Sequence, residues 1–176
     1  MKYPQISEEI ISMASEDQKV REEFFGKNNP NQKTYADLVW AVDVKNHKRM
    51  MVIVSEIGYP TISKVGKVAS YKAWSIIQHY SRDGFQKVCL DLMEKSYDDV
   101  DPQNIAYLKD RILAFSGKKQ IYGTQLKRSE LTGLLEPFEI EDEFGLNARR
   151  ASVGLEPMEE YLHRSNKLYK SDNISI

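Results

Sequence analysis

Three groups of residues in this chain combine side-chain types and spacings that could do chemistry. The first is Gln78-His79-Tyr80 followed by Asp83. An imidazole changes charge near neutral pH, and a carboxylate one helical turn away would orient it for general acid or base work. Asp83 also stands where a new helix begins, and a capping carboxylate is committed to backbone N–H groups. With the cap taking precedence, His79 alone is the acid–base candidate, weighed against the plainer role of a structural histidine.

The second group is Asp43, Asn46, His47 and Arg49. Residues three or four apart share a helix surface, so Asp43 can meet Asn46 or His47, and Asn46 can meet Arg49. One reading is a polar network that fixes a long helix; the other is an Arg49 held by its neighbours and pointed into a cleft. The third group is Asp110-Arg111, the run Gln120-Ile-Tyr-Gly-Thr-Gln125, and Arg149-Arg150. On an extended segment Gln120, Tyr122 and Thr124 point to one side. Guanidinium groups from Arg111, Arg149 or Arg150 could then bind a phosphate or carboxylate bidentately. Equally, Arg149 and Arg150 could neutralise the acidic run Glu139 to Glu143.

Other chemistries leave no mark. His47, His79 and His163 have no recognised ligand spacing, so no metal is expected, and no cofactor-binding motif is present. No Gly-rich phosphate loop, nucleophile-elbow serine or nucleic-acid module appears. Lys+Arg (25) and Asp+Glu (26) nearly cancel to a net charge of -1, so no global field recruits nucleic acid or an anionic membrane. The longest strongly apolar run, Met50 to Val54, falls far short of the ~20 residues a spanning helix requires, and the start MKYPQISEEI lacks the apolar stretch of a secretory signal. A cytoplasmic protein is expected, unless it is exported without a cleaved signal. Cys89, the one cysteine, rules out an intramolecular disulfide and reads as a buried structural thiol beside Phe85, Leu92 and Met93.

The elements that must position these groups are mostly helices. A chain of 176 residues suits one domain. Ser7 to about Phe25 reads as an amphipathic helix capped by Ser7, ended by the polar loop Gly26 to Asn31. Thr34 opens a long helix to about Ile57, on which Asp43 and Asn46 interrupt an apolar stripe; Gly58-Tyr-Pro60 breaks it. Val65 to Tyr80 forms the next helix, and Asp83 with Gln86 resembles a capping box for another. Asp101-Pro102 opens a helix through Phe115. There the period changes: 120–126 and 134–140 are expected to pair as a short antiparallel hairpin, with Pro137 confining the second strand to an edge. Asn147 caps a short helix, and Pro157 begins a last one. The expected fold is mainly α, a single helical domain with one short hairpin late in the chain: residues 1–33 a helix and loop of that domain, 34–165 its body, and 166–176 a polar, flexible tail.

The order of Arg49-Met50, Gly58-Tyr-Pro60, Gln78-His79, Phe85-Gln86, Ala106-Tyr-Leu-Lys-Asp-Arg111, Gln120-Ile-Tyr-Gly-Thr-Gln125, Ile140-Glu-Asp142, Arg149-Arg150 and Gly154-Leu155 resembles a bacterial family catalogued as a domain of unknown function (family 6624). The resemblance runs from about Leu38 to Tyr161. It departs at Tyr59, where the family more usually has tryptophan. It implies that Arg49, His79, Gln86, Arg111, Gln120, Tyr122, Gln125 and Arg149 belong to one family pattern, and it implies no particular activity. With Thr124 and Arg150 added, these polar positions form a candidate ligand-binding pocket in which His79 would be catalytic. Two functions follow as expectations. One is a non-catalytic binding or interaction module of effector, immunity or regulatory type, with a protein partner; the other is an enzyme that acts on a small anionic ligand, phosphate- or carboxylate-bearing, through His79.

Overall fold

The computed structural model describes residues 1–25, 32–80 and 84–173. The expected loop Gly26 to Asn31 and the Asp83 cap lie outside the described residues. Among the described residues the chain is helical except for one two-stranded antiparallel sheet late in the sequence, as the periodicity indicates. It divides into two compact units, Met1–Asp101 and Pro102–Ile176.

In the first unit α1 (Pro4–Phe25), α2 (Gln32–Ile57) and α4 (Lys67–Ile77) pack against one another, and α5 (Phe85–Lys95) packs on α4. Each helix buries residues recurring at three and four: Ile10, Met13 and Ala14; Met50, Ile53 and Val54; Ala69, Ala73, Ile76 and Ile77; Phe85, Cys89 and Met93. Ser7 is not the cap expected of it. The helix starts at Pro4, whose fixed φ suits a first turn, and the Ser7 N–H is already bonded to the Tyr3 carbonyl at 3.0 Å. The N–H groups of Lys2 and Tyr3 both donate to the Lys64 carbonyl, which ties the chain start to the short helix α3 (Ile62–Val65).

The helix expected over 65–80 spans 67–77: Val65 ends α3, and Gly66 before α4 has φ +82 and ψ 159, a region closed to residues with a Cβ. The capping box expected of Asp83 with Gln86 lies outside the described residues. From the first turn of α5 the Gln86 Nε2 donates to the carbonyls of Ile77 (3.1 Å) and Gln78 (2.9 Å), satisfying orphan groups at the end of α4.

The second unit holds α6 (Pro102–Phe115), β1 (Leu126–Arg128), β2 (Leu135–Pro137), α7 (Leu146–Ser152) and α8 (Met158–Asn173). Among the described residues its apolar core includes two clusters, Ala106, Val153 and Leu155 with Tyr107 and Tyr122, and Leu146, Met158 and Tyr161 with Leu126, Ile140 and Leu162. The hairpin pairs Leu126 with Pro137, Lys127 with Glu136 and Arg128 with Leu135, so its first strand begins where 120–126 was expected to end. Gln120 has a sheet-like partner as well, in an isolated parallel bridge to Ile140. Asn147 caps the following helix instead of its own: its Oδ1 accepts the Met158 N–H at 2.9 Å. Helix α8 carries residues 166–173 as regular helix.

Candidate functional site

In the first unit four charged or titratable side chains from three elements converge. Asp17 and Arg21, one turn apart on α1, continue the buried stripe of Ile10, Met13 and Ala14. Arg21 Nε donates to Asp17 at 3.1 and 3.2 Å, and its Nη2 donates to Asp43 Oδ1 on α2. His79, just past the end of α4, turns Nδ1 toward Asp17 Oδ2 at 3.2 Å, with Asp43 Oδ1 4.0 Å away.

The two carboxylates differ. Burial pushes Asp17 up, but hydrogen bonds and charge from His79 and Arg21 outweigh it and hold Asp17 below the usual carboxylate range. For Asp43 burial prevails, reinforced by the charge of Asp17 against the opposing pull of Arg21 and His79, and its carboxyl is held above that range. Asn46, one turn beyond Asp43, is 1% exposed, and neither atom of its side-chain amide has a hydrogen-bond partner among the described residues.

Asp17, Asp43 and His79 offer ligand atoms within 4.8 Å of one another, the set that could hold a cation. The guanidinium of Arg21 already sits on both carboxylates as an internal counter-cation, so a metal would have to displace it. The arrangement as it stands suits proton transfer. Asp17 Oδ2 stands 3.2 Å from His79 Nδ1, a buried nitrogen that makes no aligned hydrogen bond among the described residues, and the His79 side chain keeps 26% of its surface exposed.

The expected network on α2 does not form locally. Arg49 pairs bidentately with Glu9 of α1, Nε to Oε1 at 2.5 Å and Nη2 to Oε2 at 2.8 Å. His47 stacks on Tyr80 with ring centroids 4.1 Å apart and meets Phe85 edge-on at 5.2 Å, bracing the segment that bears His79. Gln86 anchors the same segment from the other side through its bonds to Ile77 and Gln78.

The second unit gathers the remaining candidates around one buried acid. Asp110, on α6 and fully buried, accepts hydrogen bonds from the N–H groups of Ile121 (2.8 Å), Tyr122 (3.1 Å) and Thr124 (2.9 Å), and from the Thr124 hydroxyl (3.0 Å). Successive backbone N–H groups curled around a carboxylate form an anion nest, and here the anion is the protein's own. Gln120 closes the turn. Its Nε2 donates to the carbonyls of Gln125 and Phe138, and its Oε1 accepts the Gln125 N–H. Gln125 in turn donates to the Thr124 hydroxyl at 3.1 Å.

Arg149 reaches the Ile121 carbonyl with Nε and grips Asp142 with both terminal nitrogens. Arg150, with no exposed surface, donates to the carbonyls of Glu156 (2.7 Å) and Tyr122 (2.6 Å) and lies over the Tyr161 ring, 4.9 Å from its centroid. Tyr161 donates its hydroxyl to the Thr124 carbonyl at 2.8 Å, and burial holds its pKa well above the phenol range. Arg111 is half-buried with its guanidinium over Phe115, and its Nε has no hydrogen-bond partner among the described residues. Thus Gln120, Tyr122, Thr124, Gln125, Arg149 and Arg150 do come together: Gln120, Arg149 and Arg150 hold backbone carbonyls, and Thr124 and Gln125 bond to neighbouring side chains. Arg49, His79 and Gln86 belong to the first unit.

Sequence reasoning missed Asp17 and Arg21. The available signal was their placement: a charged pair at i and i+4 extending the apolar stripe of α1 must be buried beside whatever that stripe packs on. Asp142 is the member of the acidic run 139–143 that Arg149 neutralises, one of the two roles its sequence offered, whereas Tyr161 carried no comparable signal because its partners lie in other elements.

No helix among the described residues is long and apolar enough to cross a membrane. A family model described as Family of unknown function (DUF6624) matches residues 4–172. No curated protein and no solved structure matches the chain.

Proposed function

We propose, for a chain that belongs to this family of unknown function, that the first unit carries a proton-transfer site in which His79 is general acid or base and Asp17 orients it. The observation behind this reading is the 3.2 Å approach of Asp17 Oδ2 to His79 Nδ1, made on an imidazole that still reaches solvent. Asp17 fixes the tautomer and stabilises the imidazolium that forms when the other ring nitrogen takes a proton. Asp43, held to Arg21, is a second carboxylate in hydrogen-bonding reach of a bound molecule. The acid pair favours a small polar substrate that is uncharged or cationic over the anionic one that the arginines alone suggest, because Arg49, Arg149 and Arg150 are engaged internally. Hydrolysis, with His79 activating water, is the simplest reaction of this type.

The test is turnover of a panel of small esters and amides by the full chain. His79→Ala and Asp17→Asn are expected to lower kcat about 10²–10⁴-fold, the usual size of a general-base contribution, with the helical circular dichroism of His79→Ala preserved. A panel turned over equally by wild type and His79→Ala would remove the assignment.

The second unit favours a different reading, a non-catalytic interaction module of effector, immunity or regulatory type. Gln120, Thr124, Gln125, Arg149 and Arg150 are committed around one loop, which builds a rigid platform, and two large apolar side chains project from that platform's loops: Phe144, fully exposed, and Leu131, 94% exposed. Phe144→Ala and Leu131→Ser would then abolish capture of a protein partner without changing turnover, whereas the acid–base reading expects no effect of either on turnover or on binding of the small substrate. A bacterial, cytoplasmic setting belongs to both readings and rests on the family resemblance and on the single free cysteine, Cys89, which is buried.

A further inference from the structure

The second unit holds a cavity of about 450 Å³ between the hairpin and α8, lined by Leu134, Leu162, His163, Asn166, Lys167 and Lys170. Its volume lies within the range of small-molecule sites. The lining divides by chemistry. Leu134 and Leu162, both half-buried, make the apolar part. Lys167 and Lys170 make a cationic edge on α8, with His163 on the same helix face, and among the described residues the lining contains no carboxylate.

The floor is fixed. Asn166 accepts the Leu135 N–H at 2.8 Å with Oδ1 and donates from Nδ2 to the Leu135 carbonyl at 3.0 Å and the Leu162 carbonyl at 3.1 Å. These bonds lock α8 to the start of β2, so the two leucines hold their spacing without a ligand. A site whose shape needs no reorganisation loses less on binding. Among the described residues no carboxylate pairs with Lys167 or Lys170, and an ammonium on a flexible stem is a point charge that takes a carboxylate or a phosphate alike.

We infer that this cavity binds a single-tailed amphiphilic anion, its apolar chain against Leu134 and Leu162 and its carboxylate or phosphate head on Lys167 and Lys170. The inference is independent of the proton-transfer site, whose residues all belong to the other unit.

The experiment titrates the isotopically labelled full chain with monomeric dodecanoate and dodecyl phosphate, following backbone amide shifts. Saturable shifts are expected at Leu134, Leu135, Leu162 and Asn166. Dodecanol, which has the tail and no charge, should bind roughly tenfold more weakly or worse, the size of one lost charge-assisted hydrogen bond. Inorganic phosphate, which has the head and no tail, should be weaker than dodecyl phosphate. The double variant Lys167→Glu/Lys170→Glu should lose the anion preference while its thermal midpoint stays unchanged, and Lys167→Gln/Lys170→Gln provides the same readout should charge reversal disturb α8. Equal affinity for dodecanol and dodecanoate, shifts that map away from α8, lysine variants that bind like wild type, or binding to anionic vesicles only would each overturn the assignment.

Discussion

The Asp110 carboxylate takes both the backbone N–H and the hydroxyl of Thr124, at 2.9 and 3.0 Å, from a position with no solvent exposure. A buried charge is tolerated only when hydrogen bonds replace its hydration. Asp110 therefore dictates the path of residues 121–125.

Asp110→Asn should make this dependence measurable. The amide keeps one acceptor and turns an NH₂ toward backbone N–H groups, leaving buried donors unsatisfied. Destabilisation of about 2–4 kcal/mol is expected in urea unfolding, against about 1 kcal/mol for Thr124→Val, which removes one of the bonds. A loss below that of Thr124→Val would mean that the loop holds its shape without the charge.

Gly123 sits in the same turn with φ +68, and a Cβ there would come within 3.2 Å of Ile140 Cδ1 and Met158 Sδ. Gly123→Ala should cost about 1–2 kcal/mol from the backbone conformation alone, and more if Met158 cannot shift. Equilibrium denaturation checks it, and a neutral result would show that the turn relaxes to negative φ.

The carboxylates of the first unit should titrate in a fixed order. Asp43 is held above the ordinary carboxylate value and Asp17 below it, so carbon-13 shifts of the side-chain carboxyls should show Asp43 taking its proton at the higher pH as acid is added. The signs for stability are opposite. Asp17, depressed in the fold, contributes stability above its unfolded value that is lost as pH falls through its folded value. Asp43, raised in the fold, detracts when ionised, and stability is regained as pH falls through its folded value toward the unfolded one. Asp17→Asn should flatten the acid-side loss and Asp43→Asn should remove the gain just above it, in unfolding midpoints taken between about pH 6 and pH 2. Reversed order in the carbon-13 titration would contradict the assigned roles of burial and charge.

Gln86→Leu should act on His79 without touching it. The amide closes the carbonyls of Ile77 and Gln78 at the end of α4, so its loss should cost about 1–2 kcal/mol and raise hydrogen exchange at the Gln78 and His79 amides, which bond to Trp74 and Ile76. If His79 acts in proton transfer, kcat should fall more than KM changes. Unchanged exchange at those amides would leave Gln86 a packing residue only.

The helices were legible because their evidence is local. Ala69, Ala73, Ile76 and Ile77 carry a helical period that any packing partner satisfies, and Pro102 and Gly117 bracket α6 by backbone restrictions that need no context. The division at Gly66 was less visible, since a glycine alone does not disclose the sign of its φ. The segment 120–126 misled for the opposite reason. Its alternating polar side chains suit a strand, and strand geometry lost to a buried carboxylate brought in from α6, whose charge must be met by several N–H groups at once.

The same distinction holds for the candidate site. The sequence by itself determined that His79, Gln86, Arg149 and Arg150 had side chains fit for hydrogen bonding or proton transfer, and that the elements bearing most of them were helices. Only the tertiary structure decided which groups face each other: Asp17 with His79, Arg21 with Asp43, Arg49 with Glu9, Asp110 with Thr124. Periodicity records which face of an element is buried, but the electrostatic partner of a buried charge is set by packing between elements distant in the chain, and no local pattern encodes that choice.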